Sequence, residues 1–175
     1  LKEDGSNLSA VLYQLCQSPE SKQALLDFIR SLPEQDITDI QFIETPRQAV
    51  MVSLEETFGE QQRFVDAPLL SDGTLRVLAV GAALLSAPEG TLLIIEEVDN
   101  GVHPSRADVL VRQIREVASL RPLRVLMTSH NPALLDALPD AALADVLCCY
   151  RDPQQGDSRL VRLGARVIRG HSAAN

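Results

Sequence analysis

Apolar positions near the start of the chain recur at helical spacing and then give way to alternation. The helical pattern covers residues 7–17 and 19–32, and in the second segment the apolar residues share one face. Alternation over 39–45 and 48–54 predicts two short strands, for which a hairpin is one arrangement. Residues 58–67 are polar and show no pattern. This part of the sequence therefore predicts two helices and two strands.

Further along the chain, helices and strands alternate. Periodic apolar positions predict helices over 74–86 and 104–120, and the apolar runs at 91–95 and 123–128 predict strands covered on both faces. The remaining predicted elements are one short helix and two strands, over 132–138, 145–151 and 159–163. This alternation predicts an α/β fold with a mostly parallel sheet.

The length of the chain bounds its organisation. At 175 residues and 45% hydrophobic, it can form one core, so we predict a single domain over 1–175. Its parts are a helical and hairpin segment, a core and a tail, over 1–69, 70–163 and 164–175. No apolar run reaches the roughly 18 residues of a membrane span, and the start is too polar for a signal peptide. We therefore expect a cytoplasmic protein with no membrane partner. Because its first residue is Leu, we also expect it to be part of a longer chain or a processed product.

The charge of the chain bears on its partners. It has 24 acidic residues against 16 Lys and Arg, a formal net charge of -8. This balance argues against a nucleic-acid-binding surface, because phosphate contacts need a concentration of basic residues. Any contact with DNA or an effector protein is expected through regions outside this sequence. Lysine is nearly absent, with only Lys2 and Lys22.

Two adjacent carboxylates, Glu96 and Glu97, follow the apolar run at 91–95. Open α/β sheets place their ligands at the carboxyl ends of strands. Mg²⁺ takes one or two carboxylates with phosphate and water, and its charge allows neighbouring acids to remain ionised. Glu96 is therefore the candidate metal ligand, and Glu97 is the candidate to orient or deprotonate an attacking water. The alternative is that both acids only cap the sheet in solvent.

A polar run precedes the apolar helix predicted over 74–86. Ser71 and Asp72 are good N-caps, Gly73 lets the backbone approach a ligand closely, and the helix from Thr74 points its positive end at any anion there. The alternative is a helix cap without a ligand.

Three further polar residues follow the predicted strands. Asn100 and His103 stand between the acidic pair and the helix over 104–120, and His103 has a helix-start role as its alternative. His130 follows the strand over 123–128, where an imidazole can serve as a hydrogen-bond donor or acceptor near neutral pH. A bond to a nearby backbone carbonyl is the alternative for His130.

Together these segments resemble the motifs of the ABC ATPase superfamily, in its SMC- and RecF-like soluble AAA-ATPase branch. The matching segments are the signature LSDGT (70–74), the Walker B segment LLIIEE (92–97), the D-loop NGVHP (100–104) and the switch-histidine loop TSHNP (128–132). Val98 and Asp99 depart from the usual proline and glutamate of the family and leave the two acids in place. The resemblance implies a three-layer P-loop NTPase-type fold, a mostly parallel sheet flanked by helices, with N-terminal helices and a short β-hairpin added.

The resemblance also assigns roles to the candidate residues. Glu96 would hold Mg²⁺, while Glu97 and His130 would act in hydrolysis of the ATP bound by their own head. The residues that would contact the ATP of a partner head, or lie toward that head, are Ser71, Asp72, Gly73, Thr74, Asn100 and His103. ATP and Mg²⁺ are the implied cofactors, and a homodimer that sandwiches nucleotide is the implied assembly. The associated processes are DNA repair, chromosome maintenance and defence against phage or plasmid.

One part of such an ATPase is missing from the sequence. The phosphate-cradling loop, GxxxxGK followed by Ser or Thr, requires a Gly-Lys pair, and this chain has none. We therefore expect the first half of the head, with Walker A, to precede Leu1 or to belong to another chain. By itself, the chain is expected to bind ATP weakly or not at all and to be inactive.

Two other functions remain open from the sequence. The chain can be a non-catalytic module that lends its signature face to a separate ATPase. A metal-dependent nuclease would instead use Glu96, Glu97, Asp99 and His103 as ligands, but it lacks a candidate for the lysine that many such sites contain.

Overall fold

A computed structural model describes residues 1–32, 36–46, 49–59 and 61–163. These residues form helices and strands in nearly the order that the apolar pattern predicts. The helices are α1 (Leu8–Leu15), α2 (Pro19–Arg30), α3 (Asp72–Ser86), α4 (Pro104–Leu120) and α5 (Asp140–Leu143), with 3₁₀ turns at Ala67–Leu69 and Pro132–Ala137. The strands are β1 (Ile37–Glu44), β2 (Val50–Phe58), β3 (Gln61–Asp66), β4 (Leu92–Ile95), β5 (Arg124–Met127), β6 (Leu147–Arg151) and β7 (Ser158–Arg162). The prediction of an α/β fold is confirmed.

The chain divides into two compact units, Leu1–Pro132 and Ala133–Asn175. The first unit contains α1 to α4, β1 to β5 and all the candidate site residues. The second contains α5 and the hairpin of β6 and β7. No helix in the described part of the chain is long and apolar enough to cross a membrane.

The sheets correct the prediction of a mostly parallel arrangement. β1, β2 and β3 form one antiparallel sheet, and β6 and β7 form another. Among the described residues, only β4 and β5 pair in parallel. The reason is the length of the connections: short turns, such as the one at Gly59, can join only antiparallel neighbours, whereas β4 and β5 are joined through α4.

Strand β3 lies in the segment that shows no pattern in the sequence, and the prediction missed it. Its first four side chains are exposed, so apolar alternation is not needed there. Backbone pairing with β2 and an ion pair of 2.8 Å between Arg63 Nη2 and Glu56 Oε2 hold it in place. An edge strand needs a bonded neighbour on one side only, which allows so polar a sequence.

The core of the first unit lies between the helices and the antiparallel sheet. Leu12, Leu25, Leu54 and Leu78 are fully buried there. Helix α3 approaches α2 closely at Gly81, where an added Cβ would lie 2.9 Å from a methyl carbon of Leu25. The one-sided apolar pattern predicted for the α2 segment therefore serves this core, since α2 packs on both α3 and β1.

The carboxyl end of α3 is held by a residue from outside the helix. α3 has no basic residue in its last turn. Arg121, which follows α4, donates from Nη1 to the carbonyls of Leu84 (2.9 Å) and Leu85 and from Nη2 to the carbonyl of Ala87 (2.9 Å). Its charge lies where the helix dipole is negative and satisfies carbonyls that have no partner within the helix.

One face of the parallel pair is uncovered, which corrects the prediction that both faces are covered. β4 and β5 pair Leu92 with Arg124 and Ile94 with Leu126, and paired residues share a face. On that face Leu92, Ile94 and Leu126 are 49%, 62% and 51% exposed. The opposite face is half-buried, and α3 contacts β4 while α4 contacts β5. The described residues therefore leave an exposed apolar patch on the strand that leads to the acidic pair.

Candidate functional site

The signature segment forms the start of α3. Ser71 is the N-cap, and its Oγ accepts a hydrogen bond from the Thr74 amide (3.1 Å) and lies 2.9 Å from the Thr74 hydroxyl. The helix begins at Asp72, two residues earlier than predicted, and Ser71 and Asp72 are both exposed. The positive end of a 15-residue helix is thus accessible, which is the arrangement that favours an anion.

Gly73 lies against the turn that follows β4. A Cβ added to Gly73 would be 2.3 Å from the carbonyl oxygen of Gly101, a separation that side chains do not tolerate. Gly101 itself has φ +72°, in the region that favours glycine. The close approach that the structure shows at Gly73 is to the backbone of the D-loop segment, and the predicted approach to a ligand stays a prediction.

The turn after β4 is bonded to the residue that follows β5. Thr128 accepts from the Glu97 amide through Oγ1 (3.0 Å) and from the Val98 amide through its carbonyl (2.9 Å). Glu97 has φ +46°, a left-handed conformation that is uncommon for residues with a side chain. This bonding brings the acidic pair beside the segment that carries His130.

Two other candidate side chains, those of Asn100 and His130, lie beside the carboxylate of Glu97. Asn100 Nδ2 donates to its Oε2 at 3.0 Å, and His130 Nε2 is 3.6 Å from its Oε1. The separation from His130 is longer than a hydrogen bond, so Oε1 keeps its capacity to accept a proton or a water. The side chains of Glu97 and His130 are 51% and 92% exposed. An accessible carboxylate oriented by an amide and adjoining an imidazole is a suitable general base.

Glu96 and His103 are placed differently from Glu97. The Glu96 side chain is exposed, and its donor type suits Mg²⁺, which takes one or two carboxylates together with phosphate and water. The His103 carbonyl accepts from the amides of Arg106 (2.8 Å) and Ala107 (3.2 Å), as a residue at the start of α4 should. The metal role of Glu96 stays a prediction, and the backbone of His103 fits its helix-start alternative.

The nuclease alternative is not supported by the geometry. Within the described ranges, no group of three or more His, Cys, Asp or Glu residues is placed to hold a metal ion. The four residues that a nuclease would need, Glu96, Glu97, Asp99 and His103, are thus not brought together as a metal cluster.

Arg76 is a contributor to the site that the sequence did not reveal. It is the one basic residue of α3, and its Nη2 donates to the carbonyls of both Glu96 and Glu97. The feature of the sequence that could have indicated it is a single basic residue in a largely apolar helix. The carbonyls that it binds, however, lie 20 and 21 residues away in the chain, so the sequence did not reveal them.

Comparison with known sequences gives one family. The sequence model of the family described as "AAA domain, putative AbiEii toxin, Type IV TA system" matches residues 9–136. No curated protein matches the chain.

Comparison with solved structures indicates the fold. One similar chain comes from a study of ATP-driven dimerization and DNA-stimulated activation of SMC ATPases; it is 10% identical, with 89% of this chain and 96% of that chain covered and a TM-score of 0.52. Another is the Smc head domain with an extended coiled coil bound to the C-terminal domain of ScpA, derived from Pyrococcus furiosus. It is 14% identical, with 87% of this chain and 37% of that chain covered and a TM-score of 0.52. At these identities the likeness shows the fold alone, and that fold is similar to the SMC ATPase head.

Proposed function

Since this chain belongs to the AAA domain family described as a putative AbiEii toxin of a type IV TA system, we propose that it supplies the hydrolytic part of an ATPase head. The observation that carries the proposal is the environment of Glu97. Asn100 bonds one carboxylate oxygen, and His130 adjoins the other. The fold, which is similar to that of SMC ATPase heads, supports the same class of activity.

In this proposal Glu97 orients the attacking water through Oε1 and accepts its proton. Asn100 keeps the carboxylate turned toward the water, since it holds Oε2. His130, which is almost fully exposed, donates a hydrogen bond to the γ-phosphate or to the water. Glu96 would hold Mg²⁺, whose charge would offset that of the phosphates. The start of α3, where Ser71 and Asp72 are exposed, serves the nucleotide of a partner head.

The phosphate-binding half of the head is proposed to pack on the uncovered face of β4 and β5. The chain has no Gly-Lys pair, so the grip on the β- and γ-phosphates must come from another segment. Leu92, Ile94 and Leu126 are about half exposed on that face, although parallel strands are normally buried on both faces. A half that packs there would cover the patch on the strand that leads to Glu96.

The assembly and the process follow from the same proposal. A homodimer would sandwich nucleotide between the Glu97 side of one head and the Ser71 side of the other, so hydrolysis would depend on dimerisation. Of DNA repair, chromosome maintenance and defence, the description of the family, with its toxin–antitoxin system, supports defence.

The substitution Glu97→Gln tests this function in a polypeptide that joins the chain to its phosphate-loop half. We expect kcat for ATP hydrolysis to fall by about 10² to 10⁴, the usual contribution of a general base, while ATP-stabilised dimers persist. Glu116→Gln is the matched control, because Glu116 is exposed on α4 away from the site. Undiminished hydrolysis in Glu97→Gln would remove Glu97 from the role of base.

A non-catalytic module that lends its signature face to a separate ATPase is the second candidate. The observation in its favour is the missing Gly-Lys pair together with an accessible N-cap at Ser71. The same experiment separates the two functions. If the chain only lends its signature face, stimulation of a separate ATPase survives Glu97→Gln and is lost when Ser71 is replaced by arginine.

A further inference from the structure

Arg76 joins the signature helix to the acidic turn. It lies one turn into α3, and its Nη2 donates to the carbonyls of Glu96 and Glu97, the two residues proposed for metal and water. Hydrogen bonds from a charged donor are stronger than neutral ones. Both of these bonds of the guanidinium are to backbone oxygens, so Arg76 fixes the path of the chain beneath the two carboxylates.

The left-handed backbone conformation of Glu97 has to be held by the residues around it. Its φ of +46° is one that residues with a Cβ adopt rarely and keep only when their surroundings impose it. The Glu97 amide donates to Thr128 Oγ1 (3.0 Å), and its carbonyl accepts from the Asn100 amide (2.8 Å) as well as from Arg76. Of these three partners, Arg76 is the one that belongs to α3.

A second contact links the same two segments. Gly73, in the first turn of α3, lies so close to the Gly101 carbonyl that an added Cβ would be 2.3 Å from it. The start of α3 therefore contacts both ends of the turn over residues 96–101. Arg76 bonds to its first two residues, and Gly73 lies against its last one, Gly101. A displacement of the helix start would strain both contacts, and both of them are to the backbone of residues 96–101.

We infer that Arg76 is a positioning residue that couples the start of α3 to the carboxylate of Glu97. The inference rests on the proposed function, in which the partner's nucleotide lies at Ser71 and Gly73 while Glu97 acts on the nucleotide of its own head. Nucleotide bound on the signature side would then set, through Arg76, the position of the base on the other side. The two sites of a dimer would be linked within each chain.

The first test measures the contact itself, by amide hydrogen exchange in this chain. Arg76→Gln removes the charge and shortens the reach, whereas Arg76→Lys keeps a charged donor. We expect exchange in residues 96–101 to become about tenfold faster in Arg76→Gln and to return toward the wild-type rate in Arg76→Lys. Arg112→Gln is the control, since Arg112 pairs with Asp108 (2.8 Å) on the exposed side of α4.

The second test measures hydrolysis in the protein that contains the phosphate-loop half. We expect kcat to fall about tenfold in Arg76→Gln with KM for ATP unchanged, because Arg76 acts through Glu97 and touches no substrate. Arg76→Lys should recover a large part of kcat, and Arg112→Gln should retain all of it.

Several results would overturn the inference. Wild-type exchange over residues 96–101 in Arg76→Gln would show that the two carbonyl bonds do not hold the turn. Exchange that rises equally in α2 and α4 would show a general loss of stability. A wild-type protein that does not hydrolyse ATP refutes the proposed function, and the exchange experiment still decides whether Arg76 holds the turn.

Discussion

The contact between Gly73 and Gly101 yields a prediction for which the structure gives the magnitude. Alanine at position 73 would place its Cβ 2.3 Å from the Gly101 carbonyl oxygen, although real Cβ contacts are not found below 3.0 Å. The obstacle is backbone, so at least 0.7 Å must be gained by moving α3 or the turn, the difference between those two distances. Overpacking of this kind costs about 1–3 kcal/mol, and the better helix propensity of Ala offsets at most about 1 kcal/mol.

Gly73→Ala should therefore lower the free energy of unfolding by about 1 kcal/mol. The measurement is urea unfolding of the chain, with the m-value compared to verify that the unfolded state is unchanged. Gly81→Ala is the matched control in the same helix, because its Cβ would meet a methyl carbon of Leu25 (2.9 Å) and a ring carbon of Phe28 (3.0 Å), which are side-chain atoms and not backbone. We expect Gly81→Ala to be closer to wild type in stability.

A second readout follows the turn directly. If the helix and the turn are pressed apart, amide exchange should accelerate over residues 96–101 in Gly73→Ala and stay at the wild-type rate there in Gly81→Ala. Wild-type stability together with wild-type exchange in Gly73→Ala would refute the reasoning, because it would mean that the two backbones have room between them.

Two further predictions concern stability. Arg121→Gln should lower the free energy of unfolding by about 1–3 kcal/mol in a urea titration, since it removes a charge and three hydrogen bonds from the end of α3. Arg112→Gln removes only an exposed ion pair within α4, so it should change the free energy of unfolding by less than about 0.5 kcal/mol in the same titration. Burial by itself would raise the pKa of Asp39, but the hydrogen bond from Lys22, 2.6 Å away, with the nearby charges, outweighs it and holds the pKa below its ordinary value. The stability that Asp39 contributes is therefore present above the ordinary carboxyl pKa of about 3.9 and is lost as the pH falls through the lowered value of the folded state. Asp39→Asn should accordingly weaken the pH dependence of unfolding below about pH 5, and an unchanged acid limb would contradict this assignment.

Local signals in the sequence predicted α1 to α4 well, whereas the short helix predicted over 132–138 is a 3₁₀ turn and α5 was missed. Pro19 follows Ser18, whose hydroxyl caps α2 by accepting from the Ser21 amide (3.3 Å), and the predicted bounds of α4 are those observed. The predicted hairpin of β1 and β2 is also confirmed. These elements were predictable because caps, proline positions and apolar periods act within a few residues of one another.

The site was predictable only in part, because its contacts connect distant segments. The sequence placed Glu97 at the end of a strand but could not show its left-handed backbone or the bond from Asn100. Arg76 bonds to carbonyls 20 and 21 residues away in the chain. Gly73, at the start of α3, lies against Gly101 in the turn that precedes α4. Such pairings depend on how α3 packs beside β4, which no local pattern encodes. β3 was missed for a different reason, since an exposed edge strand carries no apolar alternation.

The uncovered face of β4 and β5 also affects how the chain is expected to be degraded in a cell. In the part of the chain that the structure describes, each of these strands has a neighbour on one side only, and Ile94 at their centre is 62% exposed. Exposed apolar strands with open edges are templates for aggregation and attract chaperones and proteases. If the proposed phosphate-binding half covers that face as a separate chain, surplus copies of this chain should be degraded, and the two halves should accumulate in matched amounts.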